Sequence, residues 1–140
     1  MNMNFDGKSF IELFHQLYED ISNRFDLEIV DISNDVAELK GNNFSIFFTY
    51  DLDTTWIYYF DKKNDKTYLI SNYINVNAED VDRKDIPKED DVISKEIERT
   101  LRIQTRVLLR KFNDLLSGKG EWFACYKNSQ FFHESKSIVK

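Results

Sequence analysis

Cysteine, proline and glycine are all scarce in this chain. A single cysteine, Cys125, excludes an internal disulfide and any multi-cysteine zinc site. One proline and four glycines leave no composition suited to a flexible linker, and no internal repeat or low-complexity block is present. No apolar run approaches the ~20 residues of a membrane span. The opening Met1-Asn2-Met3-Asn4-Phe5-Asp6 lacks the basic and apolar regions of a signal peptide. Gly-rich phosphate loops, HExxH and GxSxG are missing. The two histidines, His15 and His133, have no His or Cys at ligand spacing. These absences predict a reduced, soluble, cytoplasmic protein without metal or cofactor and without catalytic activity.

What is present suffices for one domain spanning residues 1–140. Apolar residues make up 41% of the chain, enough to build a core without staples. Charge is unevenly placed within a formal total of −6. Residues 1–90 carry 19 acids against 9 bases, and residues 91–140 carry 6 acids against 10 bases. A net negative chain disfavours nucleic acid and anionic membrane, because phosphate binding needs Lys and Arg to release counterions. A basic protein is the complementary partner. One half of the fold neutralising the other is the competing explanation.

Hydrophobic periodicity divides the chain into segments. Over residues 9–23, Phe10, Phe14, Leu17, Tyr18, Ile21 and Phe25 recur at three- and four-residue steps, the stripe of an amphipathic helix. Ser9 and Glu12 fit a capping box, with Asp6 a competing cap. Residues 27–74 read as strands: 27–32, 36–40, 44–51, 54–61 and 67–74. Gly41-Asn42-Asn43 suits a hairpin turn. Connections this short join antiparallel strands only. Residues 75–90 form an acidic linker, and 91–117 a long helix, ~40 Å at 1.5 Å per residue. Gly118 and Gly120 mark its stop. The aromatic segment 118–140 suggests one more strand at 121–126, with Cys125 buried in it and a frayed tail from 134. The expected architecture is α+β: an antiparallel four- to five-stranded meander with an N-terminal helix and a long C-terminal helix on one face.

Strand 54–61 is apolar on both sides, with Trp56, Tyr58 and Phe60 on one face and Ile57 and Tyr59 on the other. Either Trp122, Phe123, Phe131 and Phe132 fold over the second face, or it is an aromatic contact surface for a partner or second copy. On the long helix, Arg99, Arg102, Arg106 and Arg110 fall opposite the apolar stripe and read as a solvated face partly neutralised by the linker. The linker places six carboxylates, Glu79, Asp80, Asp82, Asp85, Glu89 and Asp90, within twelve residues.

Asp51-Leu52-Asp53-Thr54 after an apolar strand matches the DxDxT pattern of haloacid-dehalogenase-type phosphotransferases, in which the two acids hold Mg²⁺. Its context differs. That chemistry needs a parallel strand followed by a crossover, and here another strand begins at once.

In overall profile the chain resembles the small immunity proteins that bacteria carry against polymorphic or contact-dependent toxins. The likeness lies in the leading helix, the meander around Trp56-Ile57-Tyr58-Tyr59-Phe60, the long amphipathic helix and the acidic segment ending at Asp90-Asp91. It implies stoichiometric inhibition of a basic toxin by an acidic surface. Glu79, Asp80, Asp82, Asp85, Glu89 and Asp90 would steer the partner, and Trp56, Tyr58 and Tyr59 would anchor it. An acidic secretion-type chaperone and a self-associating subunit, possible as a homodimer, are the alternatives.

Overall fold

The computed structural model describes residues 9–51, 54–84, 86 and 93–135, with the backbone alone for 93–97. Helix α1, Phe10–Phe25, starts at the expected capping box: Ser9 N–H donates to Glu12 at 3.1 Å and Glu12 N–H to Ser9 Oγ at 3.2 Å. It ends at Asp26, whose φ of 57° lies in the left-handed region that a short polar residue tolerates. The competing Asp6 cap lies outside the described residues.

Five strands follow: β1 (Glu28–Ser33), β2 (Val36–Lys40), β3 (Phe44–Asp51), β4 (Thr54–Asp61) and β5 (Lys66–Leu69). All neighbours pair antiparallel in chain order, as the short turns require. A two-residue strand, β6 (Glu134–Ser135), adds to the far edge beside β5, so the sheet has six strands where four or five were expected. That pairing puts part of the tail expected to fray onto the sheet.

Beyond β5 the structure departs from the sequence reading. Residues 71–74 do not continue the strand, because Ile70, Tyr73 and Ile74 recur at helical rather than alternating spacing and open helix α2, Ser71–Val76. The expected linker holds a short helix α3, Asp80–Arg83. The long helix is broken in two at Phe112: α4 runs Ile93–Lys111 and α5 runs Asn113–Leu116. Gly118, with φ +77°, follows the stop. A side chain there would meet the Phe44 ring at 2.7 Å.

The segment expected as a strand at 121–126 is helix α6, Glu121–Lys127. Trp122, Phe123 and Tyr126 stand at one-, three- and four-residue steps and so share one side of a helix, while Ala124 and Cys125 face solvent. Asp114 accepts the Trp122 N–H at 2.5 Å, satisfying a donor of the first turn. Cys125 is therefore exposed, contrary to its expected burial.

One core joins these elements. Phe10, Leu13, Phe14, Tyr18 and Ile21 of α1 and Leu101, Val107 and Leu108 of α4 pack against Ala37, Leu39, Ile46, Phe48 and Ile57. In the strand register these sheet residues share one face with Tyr59 and Tyr68. Both principal helices thus cover the same side. Tyr18 is fully buried, with its hydroxyl 3.0 Å from Thr105 Oγ1.

Candidate partner-binding surfaces

Two regions carry the residues expected to meet a partner. The first is the acidic segment. Asp82 is 2% exposed and forms a two-oxygen fork with Arg110: Nε lies 2.9 Å from Oδ1 and Nη2 2.7 Å from Oδ2. The Arg110 guanidinium, helped by the Glu79 N–H, holds the Asp82 carboxyl below the ordinary carboxylate range against the opposing effect of burial. Glu79 lies 3.3 Å from the same guanidinium. Arg110 also donates to Asn77 O, Arg106 to Lys84 O, and Lys111 to Asn77 Oδ1 at 2.5 Å. The bases of α4 therefore clamp residues 77–84 onto the helix, which answers part of the charge asymmetry inside the molecule.

Not every acid is used up this way. Asp80 is fully exposed, with Arg83 at 3.7 Å, a spacing worth little in water. Asp85, Glu89 and Asp90 lie outside the described residues. Arg102 pairs within its own helix with Glu98 at 3.0 Å.

The second region is the sheet face away from the helices. The register places Phe47, Trp56, Tyr58 and Phe60 on it, beside Val36, Thr49, Thr67 and Leu69. Phe47 sits between Glu38 and Tyr58 and is 7% exposed, whereas Trp56, Tyr58 and Phe60 are half-buried. None of these four aromatics belongs to the helix-side core. Three of the four C-terminal rings are engaged elsewhere: Trp122 packs edge-on against Tyr59 at 4.9 Å, and Phe123 and Phe132 against Tyr68. Those contacts lie on the helix side. Phe47, Trp56, Tyr58 and Phe60 stand outside the helix-side cluster, although Ser45 and Thr67 on the same face are buried.

Tyr59 parts company with Trp56 and Tyr58. It stacks on Phe44 at 5.6 Å, and burial, with Asp61 and Asp114 adding, pushes its hydroxyl up to about 12. Tyr58 is also raised, by burial and then by Asp51 on its own face. Phe47 and Phe60 join the face instead; strict alternation along 44–51 and 54–61 carries that signal. Acids outnumber bases around it, with Glu28, Glu38 and Asp51 against Lys40 in register. Glu38 accepts from the buried Ser45 hydroxyl.

Asp51 closes the β3–β4 hairpin opposite Thr54, and Asp53 lies outside the described residues. No crossover follows β3. Among the described residues no three His, Cys, Asp or Glu side chains converge as a metal site, and no helix is long and apolar enough to cross a membrane. Comparison with protein-family models, curated sequences and solved structures finds no match to this chain.

Proposed function

We propose that this protein is a cytoplasmic protein-binding module, an immunity-type inhibitor that neutralises a basic partner by one-to-one binding through the open face of its sheet. The observation that carries the reading is the row of Trp56, Tyr58 and Phe60, partly exposed and outside the core, on the sheet face opposite the one that packs on α1 and α4. Tyr and Trp give large, stiff contact area at low entropy cost and are enriched where partners bind. The acids in register around them favour a cationic surface over an acidic one, and steer its approach. Asp80 stays exposed but stands on the segment clamped to α4, away from this face, while Asp82 is structural.

Trp56 and Tyr58 are thus the anchors, and Tyr59 supports them from behind the sheet. The test is capture of interaction partners from the native host with wild type and with the Trp56→Ala, Tyr58→Ala double variant. A basic protein retained at one-to-one stoichiometry by wild type and lost by the variant is expected. Equal retention by both would contradict the reading. A concentration-dependent dimer by sedimentation, abolished by the same variant, would instead favour a self-associating subunit.

A further inference from the structure

The other side of the sheet holds a cavity of about 260 Å³ near its β5 edge, lined by Tyr59, Asp61, Asn64, Tyr68, Gly120, Trp122 and Phe123. Its volume falls below that of pockets built for drug-sized ligands, roughly 300 Å³ and up, and suits a single small group. Four aromatic rings contribute to its wall. Tyr59 meets Trp122 at 4.9 Å and 67°, Trp122 meets Phe123 at 5.5 Å and 88°, and Phe123 meets Tyr68 at 5.0 Å and 65°. Tyr68 and Tyr59 are cross-strand partners on the same face. Steep angles between successive rings make this an edge-to-face cluster rather than a stack.

Acidic groups stand around this cavity. Asp61 lines it, and Asp114 is close enough to act on the Tyr59 hydroxyl. Lys66, directly across from Asp61, is drawn away to Glu134 at 3.0 Å. Ring faces are the negative side of an aromatic quadrupole, so an aromatic wall with an acidic rim suits a cation that meets those faces. Both Asp61 oxygens already accept hydrogen bonds, Oδ1 from the Lys63 and Asn64 N–H groups and Oδ2 from Asn64 Nδ2. A primary ammonium has three N–H donors to satisfy, and the Trp122 and Phe123 rings supply no acceptor, which leaves the two tyrosine hydroxyls and the remaining lone-pair site of Asp61. An alkylated ammonium has no such demand.

We propose that this cavity binds a quaternary or fully methylated ammonium head group, held by Tyr59, Tyr68, Trp122 and Phe123 and drawn in by Asp61. The site lies on the helix side of the sheet, so it stands or falls independently of the Trp56 face. Gly120 offers a way to plug it. Its backbone, at φ −102° and ψ 12°, admits any side chain, and a Cβ there would meet nothing within 4 Å.

The test is calorimetric titration of the full chain with choline, with its neutral carbon isostere 3,3-dimethylbutan-1-ol, and with N-acetyl-trimethyllysine amide. Saturable binding of a cationic probe, roughly tenfold tighter than the neutral isostere, is expected. The tighter of choline and the lysine derivative identifies the source as a free small molecule or a methylated side chain. Gly120→Leu should weaken binding at least tenfold with its thermal midpoint unchanged, and Asp61→Asn, which keeps the turn's acceptor, roughly threefold. No saturable binding of either cation would overturn the assignment. So would equal affinity for the isostere, or binding untouched by a folded Gly120→Leu variant.

Discussion

Asp82 and Arg110, 28 residues apart in the chain, lock together through two carboxylate oxygens with the acid almost wholly out of water. The pair ties the segment after α2 to the middle of the molecule. Asp82→Ala should lower stability by about 2 kcal/mol, less than a fully buried pair because Arg110 keeps 31% of its side chain exposed. The pH dependence follows from the depressed Asp82 pKa. Its contribution is complete above the ordinary carboxylate value of about 4 and is lost as pH falls through the lower folded value. Thermal melts of wild type and variant should therefore converge in acid and stay apart at neutrality.

Thr105 and Tyr18 form a second buried link, between α4 and α1. The Thr105 hydroxyl also donates to Leu101 O at 2.7 Å, leaving Tyr18 as the group that depends on it. Thr105→Val strands a buried hydroxyl and should cost about 1–2 kcal/mol. Adding Tyr18→Phe removes the stranded group, so the double variant should recover much of that loss in urea melts.

Tyr126 fastens the last strand. Its hydroxyl donates to Leu69 O at 2.8 Å and accepts the His133 N–H at 2.9 Å. Tyr126→Phe should cost about 1 kcal/mol and free the β6 edge locally. Faster amide exchange at His133 and Leu69, with little change at Ile46 or Phe48, would register it.

Much of this was readable in the residues. Strands 36–40, 44–51 and 54–61 have the expected ends because alternation and the Gly41-Asn42-Asn43 turn act within a few residues. The Ser9–Glu12 capping box is equally local. The two apolar sides of strand 54–61 signalled that something beyond two helices must be explained. Helix α6 was not legible as a helix, because Glu121 to Tyr126 is a short aromatic run and only its packing against Tyr59 and Tyr68 decides between periods. The role of Asp82 was hidden for another reason: its partner lies on a different element, and an acidic run looks the same whether clamped or free.

Trp56 and Tyr58 should be dispensable for folding. Because neither belongs to the helix-side core, Trp56→Ala with Tyr58→Ala should leave circular dichroism intact and cost far less stability than a core truncation such as Phe48→Ala, at about 3–5 kcal/mol. An equal loss in chemical denaturation would mean that these rings are core after all.

The most direct measurement is hydroxyl-radical footprinting of Trp56, with the buried Trp122 as internal reference, in purified protein and after addition of host extract. Trp56 is expected to oxidise readily in the purified protein at every concentration and to become protected in the extract while Trp122 stays unchanged. A Trp56 that is unreactive in the dilute purified protein, or equally reactive with and without extract, would contradict a sheet face kept open for a partner.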